Sequence, residues 1–576
     1  MPIFNEFLRR NSMAPNTKRV CVVGAGAAGL CAVKECLHQG LQPVGYEMDD
    51  DLGGVWRRAE EGEPVLKPMM YDNLVTNTTK WTMSYSDFPP LPQDTPIYTR
   101  KTLLAYYERY ADHFNLRQYI VFNTRIMKIK RAPSYERTGQ WLVHIALVDR
   151  EGNPVEGQNM QTELFDCVIV CNGYFRSPRY PTNLPGRDTF PGFQEHSMTY
   201  RNNEKYRGKN VLVVGNKFSA IDIANDVANV ASQTYLAVGS GTWIIPRLGV
   251  EGTIMDRAVS RKGLYSAPSI QHAFNEGLMA EANARLDHEA TGVRSDVLPF
   301  NGPCSLQDSI QVKILSGQVI VYGYVTELNK REAVFDDGQR ISDLDAVVYC
   351  TGYDSDFSFL DENVRPATHS EDGGVEMYKF TFPMTARHNT LAFVGHYGSD
   401  SAMLPPMELQ CRLATRVMSG KYNLPAAPLL KKDVEYWNKI SWSRKKSKRN
   451  PVVPLVHFSE EMAQVLGVYP HFWTLFFKDP RLAYRTWAGP WFPASYRLLG
   501  PDSTWEEARR TCHQMYEEDL SMVCHRKVKP LAREKVRRLS KYIWRGFYFL
   551  LVPCLLIWCK KRHPDFWFRL FIKTGV

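Results

Sequence analysis

Two glycine-rich turns, 191 residues apart, carry the first chemical signal in this chain. Gly24-Ala25-Gly26-Ala27-Ala28-Gly29 follows the apolar run Val20-Cys21-Val22-Val23. Gly215-Asn216-Lys217-Phe218-Ser219-Ala220 follows Val211-Leu212-Val213-Val214 and runs on into Ile221 and Asp222. A strand feeding such a turn and then a helix presents backbone N–H groups and a positive helix end to a pyrophosphate. In the first turn Gly24 makes the bend, Gly26 lets backbone approach the phosphates, and Gly29 allows helix and strand to pack. Glu47 lies 23 residues beyond Gly24, where a ribose-binding carboxylate belongs. The second turn has Lys217 and Ala220 where its other glycines would stand. A Cβ at the former position can block backbone approach, while its ammonium can reach a phosphate directly.

These turns need elements to position them. Lys18–Val23 reads as a short buried strand, Leu30–Gln39 as a helix stopped by Gly40, and Gln42–Tyr46 as a second strand ending at Glu47. Asp166–Gly173 and Asp345–Gly352 are further apolar strands ending in turns. The fold class is α/β, with two Rossmann-like dinucleotide-binding domains, the second inserted into the first, and a membrane-associating C-terminal segment. The expected divisions are 1–17 as an extension, 18–175 as the first part of the first domain and 176–339 as the second domain. Residues 340–440 form the second part of the first domain, 441–524 a C-terminal region and 525–576 a basic, apolar tail.

Composition narrows the partners. From His525 to Val576, fourteen Lys/Arg against Glu534 and Asp565 give +12, which leaves the rest of the chain at −2 of the total +10. A near-neutral body argues against nucleic acid, and a basic tail points to a negatively charged surface. Within the tail, Gly546–Cys559 is an apolar run interrupted by Pro553 and flanked by Arg537, Arg538, Lys541 and Arg545 and by Lys560-Lys561-Arg562. Fourteen residues rise about 21 Å, short of a membrane's apolar core. Trp544, Trp558 and Trp567 suit an interfacial anchor, with a short true span or a soluble packing helix as the alternatives. Arg444–Arg449 reads as a solvated basic loop, with membrane contact as the alternative. The twelve cysteines contain no C-x-x-C pair, so neither a zinc site nor a disulfide framework is expected, and no metal is assigned. Met1–Arg19 lacks the apolar core of a signal peptide.

Longer segments carry a resemblance. Phe190-x-Gly192-x-x-x-His196-x-x-x-Tyr200 matches the identifying motif of flavin-containing monooxygenases, in the place where that family has it. Leu52-Gly53-Gly54-Val55-Trp56 resembles the loop after the ribose-binding acid in flavin monooxygenases. Asn73–Lys80 and Ser84–Pro89 look like the family's segment beside the flavin. Val347–Tyr353, Met407–Gln410, Asp479–Ala483 and Tyr496–Pro501 resemble later family segments. The resemblance implies FAD at the first turn, held by Gly24–Gly29, Glu47, Gly54, Val55 and Trp56, and a nicotinamide dinucleotide at the second, which makes 18–175 and 340–440 the FAD domain and 176–339 the NAD(P)H domain inserted into it.

It further implies that NAD(P)H reduces the flavin, that O2 adds to give a C4a-hydroperoxide, and that a soft nucleophile, an amine nitrogen or sulfide sulfur, takes the distal oxygen. Asn77 matches the family's asparagine near both cofactors, and its amide can donate and accept hydrogen bonds. Thr78 is expected beside it. Gly239 and Ser240 stand where the family carries basic residues for the NADPH 2′-phosphate. Three readings stay open: NADPH with Lys217 or Arg247 supplying the charge, NADH or weak nicotinamide binding, and a decayed site. Ketone oxygenation of the Baeyer–Villiger type, peroxide-releasing NAD(P)H oxidation and a non-catalytic membrane flavoprotein are the alternatives. The family also implies the endoplasmic reticulum membrane, with the body in the cytosol.

Overall fold

Short runs of Val, Ile and Cys buried on both faces form parallel strands once helices cover them. In the computed structural model Arg19–Val23 is the centre of such a sheet, paired in parallel with Gln42–Tyr46 and with Cys167–Val170. Leu391–Phe393 and Ile120–Val121 add the two edges. A second five-stranded parallel sheet repeats the plan, in the order Phe193–His196, Ala346–Tyr349, Asn210–Val214, Gln233–Ala237, Val319–Tyr322. Two Rossmann-like units therefore stand where the two glycine turns require them. The structure describes residues 17–515, except 59–66, 250–251, 253, 265–267, 300–301, 367–374, 400 and 444–450, together with Val523. The extension before Thr17, the basic loop 444–449 and the tail 525–576 lie outside them. Among the described residues no helix is long and apolar enough to cross a membrane.

The chain crosses between the sheets twice, and the crossings touch: Ser177–Pro178 pairs antiparallel with Tyr353–Asp354. This corrects the division at 340. Ala346–Tyr349 hydrogen-bonds to Phe193–His196 and Asn210–Val214 and belongs to the second sheet, so the return to the first sheet comes after it. The first helix is also longer than expected, Ala27–His38, because Gly26 already takes the N-cap position.

The Phe190–Tyr200 motif builds the edge of the second sheet. Gly192 is obligatory, since a Cβ there would lie 2.4 Å from the Phe190 ring and 2.5 Å from the Asp345 carbonyl oxygen. His196 is buried, accepts from the Met198 N–H at 3.1 Å and packs edge-on to Tyr353. Tyr200 donates to Asp226 at 2.6 Å. The motif thus ties the edge strand to the returning crossover.

The first sheet's core continues into the C-terminal part of the chain. Helix Leu404–Met418 and helix Leu455–Leu466 share it. The helices Phe472–Lys478, Pro480–Ala488 and Trp505–Gln514 close around a separate small core.

Candidate functional site

The first turn is shaped by backbone contact as much as by any ligand. Gly24 has φ +94°, and a Cβ there would meet the Cys171 carbonyl oxygen at 2.9 Å. A Cβ on Gly54, at φ +56°, would stand 3.0 Å from the Gly26 Cα, so these two glycines face each other. The Gly53 N–H donates to the Ala25 carbonyl at 3.0 Å and locks the two loops together. Glu47 is buried. One carboxylate oxygen accepts from the Ala25 N–H at 2.7 Å and the other from the Asp49 N–H at 3.1 Å.

Both turns open into one cavity of about 1550 Å³. Gly24, Gly26, Ala27, Ala28, Glu47, Gly54, Val55 and Trp56 line its first half, and Gly215, Lys217, Ser219 and Asp222 its second, with Asn77 and Thr78 between. Four expected contacts do not line it. Ala25 and Gly29 lie beneath the first turn, and Ala220 and Ile221 are packed in the second core. Gly29 has a clear reason, because its Cβ would overlap the Gly24 carbonyl oxygen at 1.9 Å.

Lys217 sits at φ −123° and ψ −173°, extended backbone open to any side chain, so the missing glycine strains nothing. The expected blockage is therefore not one of backbone conformation. Gly239, at φ +53°, is required by its neighbour, since a Cβ would stand 2.8 Å from the Tyr324 ring. Ser240 accepts from the Asn216 amide at 3.2 Å, which brings the two turn ends of this half together beside Lys217. Asp336 accepts from the Tyr324 N–H at 3.0 Å on the same side.

Asn77 is held from the second half of the molecule. Arg247 Nε donates to Asn77 Oδ1 at 3.1 Å. Arginine has no acceptor, so this bond fixes the amide with its oxygen toward Arg247 and leaves Nδ2 as the donor. Arg247 is itself buried and pairs with Asp308 at 3.2 Å and Asp222 at 3.6 Å. Asp222 also accepts from Tyr71 at 2.5 Å and Gln307 at 2.8 Å. Burial raises the Asp222 pKa, and these bonds oppose the rise. Arg247 is thus engaged at Asn77, Asp222 and Asp308. Asp256, from Met255–Ala258, accepts from the Thr79 N–H and hydroxyl, both at 2.8 Å, and from Thr82 at 2.7 Å. It fastens the strand that carries Asn77 and Thr78; burial raises its pKa against those bonds.

Tyr71, Arg247, Asp256 and Asp308 were not expected at the site in these roles. No spacing could have revealed them, because Arg247 lies 170 positions from Asn77 in the chain. Arg176 is a further addition. It lines the cavity near Glu47 and donates to the Met48 sulfur at 3.3 Å, and burial lowers its pKa.

The residues fit a flavin dinucleotide in the first half. The paired glycines leave a cradle that a Cβ would fill, the Ala27–His38 helix starts at it, and the half-buried Arg176 stands nearby to meet an anion or an aromatic ring.

Comparison with known proteins agrees with this geometry. The profile of the family described as flavin-binding monooxygenase-like matches residues 17–559. Rabbit (Oryctolagus cuniculus) flavin-containing monooxygenase 5 is 34% identical over 500 residues, covering 86% of this chain and 91% of the rabbit protein. The structure of S-allyl-L-cysteine S-oxygenase from Allium sativum is similar in fold, with TM-score 0.57 and 22% identity over 88% of this chain and all of that one. So is NADP+-bound cyclohexanone monooxygenase from Rhodococcus sp. Phi1, with TM-score 0.58 and 17% identity over 79% of this chain and 98% of that one.

Proposed function

Because the chain belongs to the flavin-binding monooxygenase-like family, we propose that it is an FAD-dependent monooxygenase that uses a reduced nicotinamide dinucleotide and O2 to oxygenate a small amine or sulfide. The single cavity shared by both glycine turns, with Asn77 where its halves meet, carries this reading. FAD, when bound, supplies the redox chemistry and the activation of oxygen.

The chain's own residues position and exclude. Gly24, Gly26 and the helix start would hold the FAD pyrophosphate, with Glu47 and Arg176 toward the adenosine. Asn77 Nδ2 would be the donor offered to the bound cofactors. Arg247 keeps that amide from flipping, and Asp222 and Asp308 keep Arg247 in place. The mostly apolar lining excludes water from the reacting centre. Lys217 provides the positive charge beside Ser240 for the nicotinamide dinucleotide, so NADPH is accepted with a weaker preference over NADH than a 2′-phosphate arginine would give. The basic tail holds the protein on the endoplasmic reticulum membrane with its body in the cytosol.

Purified protein tests this reading directly. The flavin spectrum and the oxidation of NADPH and NADH are followed with an amine, a sulfide or a ketone, and peroxide release is measured alongside. Flavin reduction with N- or S-oxide formation supports the proposal. No reduction by either nucleotide refutes it, ketone-only turnover assigns Baeyer–Villiger chemistry, and stoichiometric peroxide assigns an oxidase.

A further inference from the structure

Away from the cavity, the two short helices Phe472–Lys478 and Pro480–Ala488 turn large rings outward. Trp473 is 64% exposed, Phe477 84% and Tyr484 51%, with Phe476 at 36% beside them. These are not scattered side chains. Phe476 lies 5.8 Å from Trp473 and 6.0 Å from Phe477, ring centre to ring centre, and stacks at 5.9 Å on Phe472 behind it. Contiguous exposed apolar surface of this kind marks an interaction site.

The charge around the rings selects the partner. Lys478 and Arg481 are exposed on the same two helices, the Lys478 ammonium lying 4.8 Å over the Trp505 ring. The one acid on the two helices, Asp479, is buried as a helix cap, accepts from Leu482 N–H and is met by Arg509 and His513. Exposed acids begin only at Glu506 and Glu507, on the next helix. A second copy would bring the same cations to the contact, and the chain's own tail carries +12, so both meet like charge. A bilayer bearing anionic headgroups offers the opposite charge together with an apolar layer for the rings. Trp, Tyr and Phe beside Lys and Arg are the side chains that settle at that boundary. The helix Trp505–Gln514 shares the small core beneath the patch.

We infer that the Trp473–Tyr484 face is a lipid-docking surface of the folded body, a membrane contact separate from the tail. It places the rings in the interfacial layer of an anionic bilayer.

The test uses the full, FAD-loaded chain and vesicles of phosphatidylcholine with and without phosphatidylserine. Lipids with brominated chains should quench the part of the tryptophan emission that Trp473→Phe removes. Changing Trp473, Phe477 and Tyr484 together to Ser should weaken vesicle binding roughly tenfold or more, from the apolar area lost, most in the presence of phosphatidylserine, with FAD content and NADPH oxidation unchanged. Four results overturn the inference. The Trp473 emission is not quenched by brominated lipid; the triple variant binds vesicles like the parent; Trp473 is shielded from acrylamide before any vesicle is added, as the chain's own tail would shield it; or the triple variant loses self-association instead of lipid. None of these outcomes touches the oxygenase reading, which is judged on cofactor turnover alone.

Discussion

Asn77 and Arg247 form the smallest unit on which the proposed chemistry turns. Asn77→Asp replaces the Nδ2 donor with an acceptor while keeping the shape, and Arg247 then faces a carboxylate. The expected outcome is full flavin content with a loss of oxygenated product of about a hundredfold, the order of a lost active-site donor, read by product formation against peroxide release. Arg247→Lys keeps the charge but not the fork. It should leave flavin content intact and lower the yield of oxygenated product per nucleotide oxidised; unchanged coupling would separate Arg247 from the reaction. Lys217→Ala removes a charge contact worth about 1.5–3 kcal/mol. KM for NADPH should therefore rise at least about tenfold with KM for NADH little changed, and an equal rise for both would move Lys217 from the 2′-phosphate to the shared pyrophosphate. At this scale the sequence was only partly legible. Asn77 was visible because its neighbours carry a family pattern. Arg247 was visible as a cation, but its partners Asn77, Asp222 and Asp308 come from three distant stretches of chain.

At the scale of elements much more could be read, because strands and turns are written locally. Gln42–Tyr46 is a strand over its whole expected length, and Glu47 follows at its end. The helix start was misjudged by three residues, since an alanine pair looks like turn until Gly26 is known to be the cap. The division at 340 failed for a different reason. Ala346–Tyr349 is apolar on both faces and suits either sheet, so only the pairing decides.

The Phe190–Tyr200 element also predicts a pH response. Burial lowers the pKa of His196 from 6.5 to about 4, so the folded protein holds this ring neutral where the unfolded chain would protonate it. Stability from this residue is therefore complete above pH 6.5 and is lost as pH falls toward 4, by on the order of 3 kcal/mol. His196→Gln should flatten that part of the stability–pH curve in chemical denaturation. A slope equal to the parent's would assign the acid sensitivity to other groups, the buried His396 first among them.

Across the whole molecule, segments that looked unrelated in sequence meet in one buried ionic cluster. Arg497 pairs with Glu35 at 3.1 Å, Asp87 at 2.9 Å and Glu408 at 3.0 Å, and donates to Ser86 at 2.7 Å. Lys34 pairs with Glu35 and Asp87. Burial alone would raise the Glu35 pKa, but Lys34, then a hydrogen bond from His38, then Arg497 hold it well below the usual carboxylate range. The first helix, the Ser84–Pro89 segment, the Leu404–Met418 helix and the Tyr496–Pro501 segment are thereby joined. Arg497→Met would leave the buried Glu35 and Glu408 and the half-buried Asp87 with too little positive charge, at a cost of about 3–5 kcal/mol. The expected result is a lower denaturation midpoint with early loss of flavin, and a midpoint equal to the parent's would show the cluster to be dispensable. None of this was legible beforehand, since a motif names its residues and not its meeting place.

The paired crossings at Ser177–Pro178 and Tyr353–Asp354 have a consequence of another kind. The unit between them enters and leaves at one spot, so its two ends are neighbours in space. A module with adjacent ends can be spliced into a host loop without pulling the host apart. Such a layout lets the nucleotide-binding half be exchanged as a cassette, and its cofactor preference can change in evolution, or by grafting, while the flavin half keeps its strands in register.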